Sequence, residues 1–432
     1  MKSITNTLSV FVYNLLTQAY FLGIKLAANW NDKAKLWVNG RVGVFEKMTH
    51  AIKSQRADNQ QLVWMHCASL GEFEQGRTVI EALKREHPGI FVLLTFFSPS
   101  GYEIRKNYEN ADAVYYLPAD SKSNAIQFLE AVQPDVAIFV KYEFWYHYLR
   151  QLHGRKIPSL LIAATFRPNQ PFFKWYGSLH RAMLASFDKI LVQDEKSLKL
   201  LLNIGFQHVQ VAGDSRVDRV LEIAAKPIDL PLVKEFCGDS PVLVCGSTWP
   251  ADEALLYPIF EDEKFRDWKF ILAPHDVQHS HIQAIEQRLA IAYVLMSKMS
   301  SSKLKDERLL LVDNIGLLSS LYQFGTAAYV GGGFGKALHN TLEPAAYRLP
   351  LLFGPNFKKF EEACWFVGHK AAFAVSKVEE LKSKLQDLSN MDFSKTASTT
   401  VAQFLQSQAG ATKLVLDELA PILNNQIRVY SD

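Results

Sequence analysis

The feature that most constrains this chain is an alternation that begins near residue 60 and is then sustained. Short apolar runs rich in β-formers occur at LVWMHC (62–67), IFVLLTFF, AVYYL, VAIFV, SLLIAA, KILVQ and VQVAG. A second series runs through PVLVCG (241–246), FILAP, AYVLM, LLLVD, AAYVGG, PLLFG and AAFAV. Helix-compatible segments separate many of these runs. Parallel strands cannot be joined by tight turns and need crossovers, usually helical. The pattern therefore predicts an α/β chain with parallel sheets. Between the series lies EIAAKPIDLPLVKEF (222–236), with two prolines and no strand. This marks a junction between two doubly wound, Rossmann-like domains, expected to face one another across a cleft. In such sheets ligands bind beyond the carboxyl ends of the strands. The expected organisation is a membrane-associated helix at 1–30, a first domain at 31–222, a second at 223–410, and a C-terminal helix at 411–432 that packs back on the first.

Composition excludes several classes. With 432 residues, 48% hydrophobic and 21% charged, the chain can bury full cores. A net charge of +3 gives no case for nucleic acid. The four cysteines, Cys67, Cys237, Cys245 and Cys364, form no C-x-x-C pair, which leaves zinc and redox motifs unsupported. From Ser3 to Ile24 there is no charged residue. Ser9, Asn14, Thr17 and Gln18 interrupt this stretch, while Leu8, Phe11, Val12, Leu15, Ala19 and Leu22 share a helical face. The pattern suits a helix lying in a membrane interface better than one crossing it. Lys25, Lys33, Lys35 and Arg41 follow, with Trp30 and Trp37 among them, as anionic headgroups and a boundary layer would favour.

The stretch GGGFGKALHNTLEP (331–344) follows the strand-like AAYV. Its glycines allow close backbone approach. Asn340 or Thr341 can cap a helix starting at TLEP, and Asn340 with Glu343 resembles a capping box. Gly332, Gly333 and a helix N-terminus at Asn340, Thr341, Leu342 and Glu343 together make a place for a phosphate. The run fails the P-loop test, because Val330 stands where a Gly is needed and Ala337 replaces Ser or Thr; it also fails G-x-G-x-x-G at Lys336. Glu343 is suited either to ribose hydroxyls or to complementing the helix dipole. Two more loops fall at equivalent strand ends, one bringing Ser247 and Thr248, the other Pro274 and His275.

In the first half, ASLGEFEQG (68–76) reads as a loop leading from the first strand into a helix. Glu72 and Glu74 lie two residues apart, so at most one faces a ligand. A carboxylate there can take a proton from a hydroxyl nucleophile, or simply complement the helix dipole.

Taken together, ASLGEFE, TFFSPSGYE, YEFW, CGSTWPADE, DNIGLLSSLY and GGGF…HNTLEPAAY…PLLFGP resemble the 3-deoxy-D-manno-octulosonic acid (Kdo) transferases of lipid A synthesis. The resemblance covers nearly the whole chain, including the N-terminal helix followed by KLWVNGR. It implies a GT-B fold, CMP-Kdo as donor, a lipid A precursor (lipid IVA) as acceptor, and anchoring on the cytoplasmic face of the inner membrane. It also implies that Glu72 is the general base of an inverting transfer, with Glu143 of YEFW as a second functional acid. Pro274 and His275, then Ile315, Gly316 and Leu317, then Asn340 to Glu343, would hold CMP. A family Lys is matched by Arg216 in GDSRVD, which keeps the charge but changes the geometry. The family's Pro-Arg-His reads Pro274-His275-Asp276 here. No D-x-D metal motif stands at a suitable place, so neither a metal nor another cofactor is expected. Two rival readings are a GT-B enzyme acting on UDP-sugars, whether transferase or epimerase, and a non-enzymatic membrane-associated nucleotide-binding protein.

Overall fold

The computed structural model describes residues 2–300, 304, 306–335 and 337–427. Lys336 of the glycine loop and residues 428–432 of the C-terminal segment lie outside the described residues. The chain divides into two compact units: residues Met1–Asp218 with Gln408–Asp432, and Arg219–Ser407.

The first unit is built on a seven-stranded sheet of β1 (Leu62–Cys67), β2 (Phe91–Phe96), β3 (Ala113–Tyr116), β4 (Val136–Val140), β5 (Ser159–Ala164), β6 (Lys189–Val192) and β7 (Val209–Val211). Their order is β3-β2-β1-β4-β5-β6-β7, and every pair is parallel. All six residues of β1 are buried, as expected for a strand covered on both faces. The pleat sorts them with period two. Leu62 and Trp64 join Phe91, Leu93, Ala137 and Phe139 in one core, while Val63, Met65 and Cys67 join Val92, Leu94, Val136 and Ile138 in the other.

Each core is completed by a terminal helix. On one side, the helix Ala411–Ile427 contributes Val415, Leu416, Leu419 and Leu423. Gln61 Nε2 donates to the Leu423 carbonyl at 2.8 Å, and Lys189 pairs with Glu418 at 2.6 Å. On the other side lies the helix Lys2–Ala27, with Val10 and Tyr13 packed against the core. Its docking face carries the polar residues: Tyr13 Oη donates to Asp120 at 2.5 Å and His147 Nε2 donates to Asn14 Oδ1 at 2.7 Å. Its apolar face points outward, with Leu8, Phe11, Leu15, Leu16 and Leu22 all more than half exposed. Of the polar interruptions in the sequence, Asn14 bonds to the rest of the unit, Ser9 and Thr17 are half-buried, and Gln18 is exposed.

The second unit repeats the architecture with β8 (Val242–Thr248), β9 (Lys269–Pro274), β10 (Tyr293–Leu295), β11 (Leu309–Leu311), β12 (Ala327–Val330), β13 (Leu351–Phe353) and β14 (Ala372–Ala374). The order is β10-β11-β9-β8-β12-β13-β14, again all parallel. Every apolar run singled out in the sequence contains one of the fourteen strands. One local expectation is corrected: ASLGEFEQG is not a loop, because a helix begins at Leu70 and runs to Glu86. Gly71 and Gly76 lie inside it. A Cβ on Gly76 would stand 2.7 Å from Met65 Sδ and 3.3 Å from Cys67 Sγ, so its absence lets the helix press onto β1.

Leu419→Ala should cost about 2–5 kcal/mol in the first unit, because it empties a fully buried site. Hydrogen exchange would check this: protection should fall in β1 and Leu70–Glu86 and hold in β8, β9 and β12.

Candidate functional site

Strand order decides where side chains can meet. In the first unit the chain passes from β1 to β2 and β3 on one side, then returns to place β4 on the other, so the switch point lies between β1 and β4. The loop after β1 brings Glu72 and the loop after β4 brings Glu143. Glu72 stands in the first turn of Leu70–Glu86, where a negative charge complements the helix dipole. Ser69, the residue before that helix, donates its hydroxyl to the Glu72 carboxylate and accepts no hydrogen bond from a backbone amide of the first turn. Glu74 turns away and pairs with Arg105 at 2.9 Å, with Arg77 at 3.7 Å.

Glu143 is nearly buried, at 6% exposure, and is held by two partners. Trp145 Nε1 donates to its Oε2 at 2.6 Å, and His66 Nε2 lies 2.8 Å from the same oxygen. His66 is itself fully buried. Its Nδ1 lies 3.1 Å from the Thr95 carbonyl and 2.9 Å from the Thr95 hydroxyl. Parallel register puts His66 opposite Thr95 on β2, and Trp64 Nε1 fixes the Thr95 hydroxyl at 2.8 Å. Cys67, the last residue of β1, is fully buried: burial pushes its thiol well up, and the charges of Glu72 and then Glu143 push it further.

Arg216 opens the helix Ser215–Ala225 and is pinned by its own neighbour, Asp214, through Nη2 at 2.6 Å and Nε at 3.0 Å. Ser215 Oγ donates to the Gln75 carbonyl at 2.6 Å, which ties this segment to the helix that carries Glu72. The cation is therefore positioned by the same unit that positions the acids.

In the second unit the switch point lies between β8 and β12. The residues singled out in this half stand at or beyond the ends of β8 (Ser247, Thr248), β9 (Pro274, His275), β11 (Ile315, Gly316, Leu317) and β12 (Gly332, Gly333, Asn340, Thr341, Leu342, Glu343). These four strands are consecutive neighbours in the sheet, so all four loops emerge side by side at one edge. Backbone bonds stitch them: Gly331 N to Gly246 O at 2.9 Å, His275 N to Thr248 O at 2.9 Å, and His339 N to Gly331 O at 3.1 Å. Ile315 is 82% exposed and Gly316 has φ +90°.

The glycines answer first to backbone packing. A Cβ on Gly331 would stand 2.2 Å from Ser247 O, and one on Gly333 2.5 Å from Gly354 N. Gly332, with φ +88°, gives its N–H to Asp252 at 2.9 Å, so that amide is not free for an anion. Asp252, fully buried, also accepts from Tyr329 Oη and from Trp249 N. The Thr248 hydroxyl is likewise occupied: it is buried and donates to Glu253 at 3.2 Å. Burial raises the Glu253 carboxyl, which His281 Nε2 meets at 3.0 Å. The helix at the end of the glycine loop is only Leu342–Ala346. Asn340 serves it with Oδ1 on Leu342 N and Nδ2 on Glu343 Oε1, both at 3.0 Å. Burial raises the Glu343 carboxyl, opposed by Asn340 and by Arg219. Thr341 Oγ1 is buried with no hydrogen-bond partner among the described residues, a state that costs about 1–3 kcal/mol unless something else meets it.

Sequence reasoning missed a stack of three rings at this edge. Trp249 and His275 lie 4.5 Å apart and His275 and His339 4.5 Å apart, each pair near parallel, and Trp249 Nε1 donates to His339 Nε2 at 2.9 Å. It also missed His66, Trp145 and Asp252. The one available signal was a histidine inside the otherwise apolar LVWMHC.

Two doubly wound parallel domains with polar groups gathered at their switch points define the GT-B class. Solved structures agree: the fold resembles UDP-GlcNAc 2-epimerase from Neisseria meningitidis (TM-score 0.56, 16% identity, 84% of this chain and 100% of that one). It also resembles MurG from Acinetobacter baumannii (TM-score 0.53, 12% identity, 84% and 99%). Within that class the sequence points to one family. Residues 39–219 match the family model described as 3-deoxy-D-manno-octulosonic-acid transferase. The chain is 29% identical over 332 residues to the 3-deoxy-D-manno-octulosonic acid transferase of Aquifex aeolicus, covering 76% of this chain and 85% of the relative. It is 26% identical over 386 residues to that of Rickettsia prowazekii, covering 87% and 82%. By sequence, then, the chain resembles the Kdo transferases over most of its length.

Two outcomes follow from the geometry. His66→Ala should lower turnover in a transfer assay about 10²-fold with KM little changed, because Glu143 loses its buried support. Reduced stability with turnover intact would show that the histidine only packs. Burial, and then His275, hold the His339 pKa below the usual 6.5. The unfolded chain therefore binds the extra proton first, and second-unit stability should fall as pH drops below 6.5 toward the folded value. Urea midpoints at pH 7.5 and 5.5 should differ less in His339→Gln than in the native chain.

Proposed function

We propose that this protein transfers Kdo from CMP-Kdo to a hydroxyl of a lipid A precursor, with inversion at the sugar. The observation that carries the reading is that Glu72 and Glu143 follow the neighbouring strands β1 and β4 at the switch point of one sheet, inside the segment that matches the Kdo transferase family model. Glu72 removes the proton from the acceptor hydroxyl as its oxygen attacks the anomeric carbon of Kdo. The C–O bond to the CMP phosphate breaks, and CMP leaves as an anion. Glu143, held by His66 and Trp145, faces the positive charge that develops on the sugar. Arg216, kept in place by Asp214, is suited to the departing phosphate.

In this reading the second unit holds CMP through its four neighbouring strand-end loops. Ser247, Pro274, His275, Ile315 to Leu317 and Asn340 to Glu343 supply the contacts. The unpartnered Thr341 hydroxyl and the exposed Ile315 support a ligand at this edge. Thr248, Gly332 and Gly333 shape the edge rather than touch the nucleotide. His275 stands in the place of a family arginine, so the donor site has an imidazole where the family has a guanidinium.

A lipid acceptor stays in its bilayer, and the N-terminal helix suits an enzyme working there. Thr7–Ala27 is long and apolar enough to cross a membrane by length and composition, and none of that stretch is buried. Its polar face bonds to Asp120 and His147, and its apolar face is open. We infer that it seats the enzyme on the cytoplasmic face of the inner membrane.

Incubation of the purified protein with CMP-Kdo and lipid IVA should give products heavier by whole Kdo residues in mass spectra. Glu72→Gln should lower turnover about 10²–10⁴-fold while CMP-Kdo still binds. A UDP-sugar that outcompetes CMP-Kdo, or full turnover in Glu72→Gln, would defeat the proposal.

A further inference from the structure

The segment between β5 and the helix Ser178–Leu184 is built with care and yet ends in an indole in open water. A short turn, Pro171–Phe173, leads to Lys174, Trp175 and Tyr176. Arg181 Nη1 donates to the carbonyls of Phe172 and Lys174, both at 2.9 Å. Lys174 N and Gly177 N close two further turns onto Pro171 O and Lys174 O. Gly177 packs so tightly that a Cβ there would stand 1.8 Å from the Pro171 carbonyl oxygen. Phe172 is buried, its ring 4.8 Å from Phe144, the residue after Glu143. On this fixed base Trp175 is 92% exposed and Tyr176 54%, their rings 5.6 Å apart and edge to face. No other large hydrophobic residue is as exposed among the described residues.

We propose that the tip Lys174-Trp175-Tyr176 is a second contact with the lipid bilayer, placed beside the loop that carries Glu143. Indole and phenol rings have an apolar body and a polar handle, and they settle at the level of lipid headgroups. Lys174 adds a cation suited to anionic lipid. The occupant is argued from continuity as well as chemistry. The N-terminal helix, with Phe11, Leu15 and Leu16 turned outward, lies against Ser178–Leu184, the helix that begins directly after the tip. Two apolar features on adjoining elements of one unit thus share a single partner. Because Phe172 rests on Phe144, the tip would fix the height of the acid above the bilayer surface. The inference rests on the membrane reading above, and its test separates the two.

The full chain, Trp175→Ser/Tyr176→Ser and Leu15→Ser/Leu16→Ser are floated with vesicles of phosphatidylethanolamine containing one quarter phosphatidylglycerol. Circular dichroism and melting first establish that each variant folds. The tip variant should bind vesicles roughly tenfold less. Quenching of its fluorescence by brominated acyl chains should also fall, because Trp175 is gone. Transfer to an acceptor presented in vesicles should drop, while transfer to the same acceptor in detergent micelles is kept. Unchanged partition and quenching in the tip variant overturn the proposal, including in favour of a protein partner for the tip. Equal loss of transfer in vesicles and micelles overturns it too, since that marks a role inside the fold. If the Leu15/Leu16 variant binds vesicles normally while the tip variant does not, the helix reading fails and the tip stands.

Discussion

Within each sheet every strand runs in the same direction, and this one constraint governs the chemistry available to the molecule. A parallel sheet delivers the ends of all its strands to one edge, where helix starts and loops gather. Loops that stand side by side there can come from residues far apart in the chain. In the first unit the edge receives two carboxylates and a cation held by Asp214 of the same unit. In the second it receives four loops from consecutive strands, stitched by backbone hydrogen bonds. The proposed division of labour between acid–base chemistry and nucleotide holding rests on these two edges.

The first edge shows how a carboxylate can be kept in a buried place. Glu143 accepts from Trp145 and meets His66, and His66 in turn leans on Thr95. His66 is set opposite Thr95 by strand register, which fixes its position more firmly than a loop would. Trp145 also stacks near Phe97, whose other neighbours are Tyr20, Phe21 and Trp37. The acid is therefore backed on one side by a strand and on the other by rings that reach the N-terminal helix. Cys67 lies within this cluster, but burial and the two carboxylates disfavour its thiolate, so it offers no rival nucleophile.

Much of this was legible in the sequence because its signals are local. Fourteen apolar runs of strand length forecast fourteen strands, and the residue after a strand end forecast where Glu72 would stand. Other features resisted reading because they are made by tertiary contact. Whether Thr248 faces a ligand or Glu253 depends on a helix packed over it. The glycine run looked like room for a phosphate, yet Gly331 and Gly333 are needed where Ser247 and Gly354 cross them. Helical periodicity found the apolar stripe of the first helix, but only the bonds from Tyr13 to Asp120 and from His147 to Asn14 tell which side is docked. His66 carried no periodic signal at all, since one polar side chain in an apolar strand has no meaning until its register partners are known.

The helix Ala411–Ile427 has a consequence for biogenesis. Val415, Leu416, Leu419 and Leu423 finish a core whose other members lie before residue 192. During synthesis the ribosome delivers the whole second unit in the interval. That unit has its own complete sheet and can fold as soon as it emerges, while the first waits with one face of its sheet uncovered. A nascent chain of this kind has reason to shelter at a lipid surface, or under a chaperone, until its last turn of helix arrives to close the earlier half.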